Sequence, residues 1–289
     1  MKVSLIMATV GRRDEINVLL DSLQRQPSRD FELIIVDQNG NGFLDPIIQR
    51  LSRSNISYKH VKSNRRGLSI ARNIGLLQAG HEIIGYPDDD CWYEEHVIAE
   101  VLDRFRKDSS LDGIAGCWCE ADGYRIREHT LSRDRWRRFR GGISGFSSCL
   151  FFKRGQVEVV GGFDESLGVP QWFGSSEETD LIIRCLDRGA RIMYVPDVRV
   201  HHPIASIREG NLNAMIRRAR SYARGTGALY SKHHLATIVI ARGILSPIFK
   251  SFAPPYSFGR VLGNAVTVWG RLEGMLAWKQ GSRRVDRSV

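Results

Sequence analysis

Three short apolar runs in the first third of the chain constrain the fold more than any other feature. "VSLIMA" (Val3–Ala8), "FELIIVD" (Phe31–Asp37) and "HEIIGY" (His81–Tyr86) are nearly uninterrupted apolar stretches of strand length. Such runs read as strands buried on both faces. Between them lie "RRDEINVLLDSLQRQ", a stretch around Leu44–Leu51, and "GLSIARNIGLLQAG". Their apolar spacing is helical, and the glycine ending the last marks a helix stop. A further short strand is expected near "SYKHV". This alternation requires right-handed crossovers. The expected fold class is α/β, a mainly parallel Rossmann-like sheet flanked by helices.

Open parallel sheets bind ligands beyond the carboxyl ends of their strands. Four polar stretches fall there: Thr9–Arg13, Asp37–Gly42, Ser63–Arg66 and Asp88–Asp90. One aspartate would suffice to cap a helix in "CWYEEHVIAEVLDRF". Three in succession repel one another, and a cation relieves the repulsion. A second acidic cluster, Glu177, Glu178 and Asp180, opens the helical segment "SSEETDLIIRCLDRGA". Acids complement a helix N-terminus, but three exceed that need. A carboxylate pair suits Mg²⁺ or Mn²⁺ shared with a substrate diphosphate. A further carboxylate can take a proton from a hydroxyl. "HH" at His201–His202 offers a nitrogen ligand, which suits Mn²⁺ better than Mg²⁺.

Later segments are less regular. "DGIAGCWCEADG" suggests a strand and turn, and "SSCLFFKR", "RIMYV" and "VRVHHP" suggest strands. "TLSRDRWRRFRGG" is strongly basic and aromatic, with Trp136 and Phe139 among Arg133, Arg135, Arg137, Arg138 and Arg140. From about Glu209 the chain turns to helices rich in arginine. Residues 201–289 hold 14 basic and 3 acidic residues, net +11, so the whole-chain charge of +10 resides there. Such asymmetry suggests contact with a nucleic acid or an anionic membrane. Apolar stretches such as "LATIVIA" and "FAPPYSF", with Trp269 and Trp278, lie among these charges. Arg242, Pro247 and "APP" interrupt them short of the roughly 18–20 residues that span a bilayer. Helices lying on an anionic membrane are expected, the alternatives being packing on the rest of the chain or dimerisation. "MKVSLIMATVGRRDE" lacks a signal-peptide pattern. The five cysteines (91, 117, 119, 149, 185) lack zinc-type spacing, which favours reduced thiols and a cytoplasmic setting.

In chain order, "VSLIMATVGR", "ELIIVDQNGNG", "GLSIARNIGL", "YPDDDCWY", "GGFDESLG" and "EETDLIIRCLDRGA" resemble family 2 glycosyltransferases, inverting enzymes with the GT-A fold. The resemblance runs from Met1 to about Pro203. It implies a catalytic nucleotide-sugar domain over 1–205 and a basic amphipathic helical extension over 206–289. It implies that Ala8, Thr9, Arg12, Asp37, Arg66, Arg72 and Asp88 bind the donor, with Asp37 at the base and Asp88 near the ribose. Asp88 and Asp90 form the DxD motif, Asp90 holding Mn²⁺ or Mg²⁺ on the diphosphate and Asp89 pointing away. His202 fits the offset of a metal- or diphosphate-contacting histidine, with His201 left open. Glu178 is the implied general base and Asp180 the lesser candidate. Glutamate stands where aspartate is common, so the base reaches from one methylene further out. Cys91 follows the DxD where another aspartate is common.

The implied reaction moves a sugar from a UDP-, GDP- or dTDP-linked donor to a saccharide or lipid-linked acceptor, in bacterial cell-envelope polysaccharide or glycolipid synthesis. The implied place is the cytoplasm, at the inner face of the cell membrane. Two rival readings are a nucleic-acid-binding protein, given the pI near 9.6, and a nucleotidyltransferase on a similar sheet. The first lacks a recognised nucleic-acid-binding motif; the second gives no reason for the late "EETDL" helix.

Overall fold

The computed structural model describes residues 1–121, 127–133, 147–203, 212–254 and 256–285. Strands β1 (Val3–Thr9), β2 (Phe31–Asp37), β3 (Ser57–Lys62) and β4 (Ile83–Gly85) run parallel in the order β3-β2-β1-β4. Helices α1 (Ile16–Arg25), α2 (Asp45–Ser52) and α3 (Leu68–Gln78) make the crossovers. Alternate residues of one strand serve opposite cores, as a pleated strand requires. Leu5, Met7, Leu33 and Ile35 pack with Leu19, Leu20 and Leu23 of α1, whereas Ile6, Ile34 and Val36 pack with Ala71 and Leu76 of α3. A Cβ on Gly75 would collide with Ile6, so this glycine lets α3 settle on the sheet.

Beyond β4 the sheet changes character. β8 (Leu150–Lys153) pairs antiparallel with β4 and with β6 (Gly113–Trp118), and β6 runs parallel to β9 (Ile192–His201). The short strands β5 (Trp92–Tyr93) and β7 (His129–Thr130) pair antiparallel with β9. Two expectations are corrected here. "RIMYV" and "VRVHHP" form one strand, whose pairing with β6 shifts between Gly116 and Cys117. Pro196 cannot donate to the ladder, so the strand bulges there and resumes. Trp92 and Tyr93, expected within a helix, form β5, and helix α4 (Val97–Lys107) starts later.

Helices α5 (Arg154–Val159) and α6 (Glu177–Asp187) follow, then α7 (Leu212–Lys232), α8 (Thr237–Ser251) and α9 (Phe258–Val285). Ile183 of α6 packs with Leu229, Tyr230, Leu235 and Val239, which ties the last three helices to α6. α7 and α9 touch backbone to backbone: a Cβ on Gly227 would strike the Arg271 carbonyl, and one on Gly274 the Arg224 carbonyl. Glu273 of α9 accepts from Arg220 Nε at 2.9 Å and Arg224 Nε at 2.8 Å. No helix among the described residues is long and apolar enough to cross a membrane.

The close helix contact makes a paired prediction. Gly274→Val should destabilise the chain by about 1–3 kcal/mol through overpacking. Gly263→Ala, where an added Cβ meets nothing within 4 Å, should be neutral or stabilising by up to ~1 kcal/mol, since alanine is the better helix former. Thermal unfolding of both variants checks the contrast; equal melting temperatures would contradict the packing.

Candidate active site

The carboxyl ends of β1, β2 and β4 open onto a cavity of about 620 Å³. Ala8, Thr9 and Arg12 line it from the end of β1, Gln38 from the end of β2, Arg66 and Gly67 from the approach to α3, and Asp88–Asp90 from beyond β4. A bridge between Ala8 and Asp88 carries the β1–β4 pairing into the aspartate run, which fixes the first aspartate against the sheet. The opposite wall comes from Val169, Pro170, Gly174–Glu178 and, from α7, Arg218 and Tyr222.

The three aspartates have different surroundings. Asp89, expected to point away from the site, is buried under Arg12, whose Nη1 lies 2.7 Å from Asp89 Oδ1 and 2.8 Å from Asp90 Oδ2. Burial pushes the Asp89 carboxyl up, and Arg12 only partly offsets this. Asp90 also loses solvent, but His202 and Arg12 outweigh that loss and hold its carboxyl below the usual range. His202 Nε2 lies 3.0 Å from Asp90 Oδ1 and 3.9 Å from Asp88 Oδ2. Burial opposes charge on the His202 imidazole, yet the two carboxylates raise its pKa. Among the described residues, buried Asp90 Oδ1 accepts no well-directed hydrogen bond. One imidazole nitrogen thus stands beside an oxygen of each of the two carboxylates, donor types that suit Mn²⁺ or Mg²⁺.

The adjacent histidine faces elsewhere. His201 lies between Glu120 Oε1 at 2.6 Å and Glu94 Oε1 at 3.1 Å, its ring stacked on Trp92 at 5.0 Å. Glu120 Oε2 also accepts the His202 backbone N–H at 3.1 Å, and Trp118 Nε1 donates to the His202 carbonyl. Strand alternation at the end of β9 therefore sends His202 to the cavity and His201 to the opposite side.

Across the cavity, Ser176 adopts a left-handed φ of 75° immediately before α6. The turn presents Glu177 and Glu178 at the helix start. Loss of solvent, then each other's charge, pushes the Glu178 carboxyl well above the ordinary glutamate range, with Arg72 only partly opposing. Glu177 is raised too, chiefly by burial. A half-buried carboxylate with an elevated pKa is suited to accept a proton near neutral pH.

Three of the expected site residues do not reach the cavity wall. Arg72 is 1% exposed and lies beneath it, donating to Asp88 Oδ1 at 2.9 Å and Glu177 Oε1 at 3.5 Å, with Phe163 at 5.2 Å from its guanidinium. Its aliphatic stem comes from α3, below the rim, so it braces the acids and does not line the cavity. Asp37 is spent at the end of β2: Lys62 Nζ lies 2.9 Å and His60 Nε2 3.0 Å from its Oδ2, and its Oδ1 accepts the Asn39 backbone N–H at 2.8 Å. Gln38 lines the cavity in its place and exchanges hydrogen bonds with Gly67. Asp180 is fully buried among Arg184 at 2.8 Å, Lys232 at 2.7 Å and His233 at 2.8 Å. Burial would raise its carboxyl, but these donors hold it far below the usual range, so it has no tendency to take a proton. Helical geometry explains the separation from Glu178, because residues two apart on a helix do not face each other; Asp180 meets Lys232 at the end of α7 instead.

Sequence reasoning placed Gln38 only within the rim stretch Asp37–Gly42 and missed Trp118, Ser147, Arg218 and Tyr222; all five line the cavity. Only tertiary packing brings them there. Of the basic segment 133–140, which the family resemblance implies on the acceptor side, residues 134–140 lie outside the described residues; Arg133 pairs with Asp187 at 2.9 Å.

Residues 4–155 match the family model for glycosyl transferase family 2. The chain belongs to that family. The match does not favour the nucleic-acid-binding or nucleotidyltransferase readings. Among curated relatives of this family 2 chain, the poly(ribitol-phosphate) beta-N-acetylglucosaminyltransferase TarP of Staphylococcus aureus is 31% identical over 119 residues, 40% of this chain and 36% of TarP. The GalNAc(5)-diNAcBac-PP-undecaprenol beta-1,3-glucosyltransferase of Campylobacter jejuni is 30% identical over 129 residues, 44% of this chain and 41% of that one. The chain thus spans well under half the length of these relatives. Among solved structures, the mannosyltransferase PcManGT from Pyrobaculum calidifontis, in complex with GDP-Man and Mn²⁺, superposes with a TM-score of 0.63 at 19% identity, covering 96% of this chain and 74% of that one. TarS 1–349 of S. aureus gives 0.60 at 15% identity, covering 97% and 92%. These two share its fold.

For this family 2 chain, Arg72 should be a stability determinant. Arg72→Met leaves buried Glu177 and half-buried Asp88 without their cation, which costs up to about 3–5 kcal/mol when a buried pair is broken. Denaturant unfolding measures the loss. A variant as stable as the parent would show that the guanidinium does not brace the site.

Proposed function

We propose that the chain is a metal-dependent inverting glycosyltransferase, moving a sugar from a nucleoside-diphosphate donor to an acceptor hydroxyl in one displacement. The observation that carries the reading is the single cavity with Asp88, Asp90 and His202 on one wall and Glu178 on the other. Family membership supports it.

The donor occupies the rim of Ala8, Thr9, Gln38 and Arg66, with Asp88 near the ribose. Arg12 and Arg66 place positive charge where a diphosphate would lie. Asp88, Asp90 and His202 would hold Mn²⁺ or Mg²⁺, which stabilises negative charge on a departing diphosphate as a Lewis acid. Glu178 accepts the proton of the acceptor hydroxyl as its oxygen attacks the anomeric carbon from the face opposite the leaving group, and the sugar passes through an oxocarbenium-like state. Val169, Pro170, Arg218 and Tyr222 wall the acceptor side. The donor is UDP-, GDP- or dTDP-linked, and complexes of fold neighbours with GDP-Man and with UDP-GlcNAc keep these open. The acceptor is a saccharide or a lipid-linked glycan of a bacterial cell envelope, met at the cytoplasmic face of the membrane. The printed names of the curated relatives, one polymer-directed and one undecaprenol-directed, support that class.

Two experiments test this. In a panel of nucleotide sugars, hydrolysis or transfer should require Mn²⁺ or Mg²⁺ and vanish in EDTA, and Asp90→Ala should lose metal-assisted nucleoside-diphosphate binding. Full activity in EDTA rejects the metal. Glu178→Gln should bind donor normally yet transfer at least ~10²-fold more slowly, while Asp180→Asn should not reproduce that phenotype. Because the base acts deprotonated and its pKa is raised, kcat/KM should climb with pH through a limb above the ordinary glutamate value of about 4.3. That limb should disappear in Glu178→Gln; its persistence would assign the base elsewhere.

A further inference from the structure

The outer faces of α8 and α9 are apolar where a water-facing helix is ordinarily polar. On α8 the stripe runs through Ile238, Leu245, Phe249 and Phe252, at helical spacing, with Phe249 69% and Phe252 73% exposed. On α9 it runs through Phe258, Val261, Trp269 and Leu276, with Phe258 80% and Trp269 61% exposed. Tyr256, 73% exposed, stands in the turn between them. The opposite faces are already used: Val239, Gly243 and Pro247 of α8 are buried, and α9 lies against α7 through Gly270 and Gly274. The outward stripes are therefore surplus to folding, and contiguous exposed apolar surface of this kind marks an interaction face.

Charge identifies the partner. No acidic residue occurs between Glu209 and Glu273, and Glu273 is engaged by Arg220 and Arg224. Arg242 and Lys250 are exposed along α8, and Arg260 closes the turn by donating to the Ala253 carbonyl at 2.9 Å. A second copy docked symmetrically on this face would set like charges together. An anionic bilayer would neutralise them and take the aromatic side chains at headgroup level.

The helices also fix where this face lies. Gly270 sits against Arg220 and Ala223, and Gly274 against Arg224, so α9 runs parallel to α7. Phe258 begins α9 about 18 Å before Gly270 at 1.5 Å per residue. The α8–α9 turn thus projects toward the end of α7 whose Arg218 and Tyr222 line the cavity.

We propose that the α8–α9 hairpin docks on an anionic lipid bilayer, seating Phe249, Phe252, Tyr256 and Phe258 at the headgroup level, so that the acceptor side of the cavity faces the membrane. The last clause rests on the glycosyltransferase reading; the docking does not. Flotation of the full chain with vesicles of phosphatidylglycerol and phosphatidylcholine, against pure phosphatidylcholine, tests it. The chain should float with the anionic vesicles at low salt, release partly at high salt, and bind neutral vesicles weakly. A Phe249→Ser, Phe252→Ser, Phe258→Ser triple variant should partition at least 10-fold less, with its melting temperature and donor hydrolysis unchanged. An Arg242→Gln, Lys250→Gln pair should weaken anionic binding and flatten its salt dependence. A parent chain left unbound at low salt, binding that survives the triple substitution, or a lipid-independent dimer dissolved by it would each overturn the proposal. Since flotation needs neither donor nor acceptor, an inactive chain that floats leaves docking intact, and an active chain that does not float removes docking alone.

Discussion

A single buried guanidinium holds the two halves of the site together. Arg72 reaches from α3 to Asp88 beyond β4 and to Glu177 at the start of α6. Without it, two carboxyl groups from segments far apart in the chain would share a space with little water, and repulsion would drive them apart or protonate them. With it, both walls of the cavity are anchored to one helix. The neighbouring Glu178 then has its environment set for it: it loses solvent and feels Glu177, and the charge of Arg72 only partly compensates. The elevated pKa of the proposed base follows first from its loss of solvent and then from the charge of Glu177, which one arginine only partly offsets.

The parallel half of the sheet was legible because buried strands leave an unambiguous mark. β1 and β2 are apolar at nearly every position and buried at nearly every position. Asp88–Asp90 stood out for a physical reason, since a strand end crowded with like charge has no structural need for all of it. The kink in β9 was less visible. Pro196 signals a break, and the sequence alone does not say whether the strand ends or bulges and continues. The answer depends on β6, where Gly116 lacks the Cβ that would strike the Val198 carbonyl.

The site residues divide in the same way. Residues lying on the rim immediately after a strand, such as Thr9, Arg12, Asp88 and Asp90, were found by position. Arg72 rests on resemblance alone, whereas Asp37 and Asp180 also stand out by position and clustering, and local spacing does not tell a side chain that faces a cavity from one that braces it. Helix phase decides for Asp180, and the ion pairs with Lys232 and His233 that decide it come from a segment more than fifty residues away. Arg218 and Tyr222 were illegible for the same reason. Nothing in "RRARSYARG" announces that one face of that helix closes a cavity built by β1 and β4.

The contact between Asp180 and the end of α7 bears on modularity. Composition changes near Glu209, and a construction engineer would cut there to obtain a minimal catalytic unit. Such a cut would remove Lys232 and His233 and leave Asp180 buried with Arg184 as its remaining cation. It would also take away Arg218 and Tyr222 from the cavity wall, and the Gly225 backbone that packs against Ser175 beside the acid pair. The change in composition is therefore not a seam in the molecule. Grafting the helical layer onto another family member, or exchanging it to retarget an acceptor, would require carrying α6 and its buried aspartate along with it.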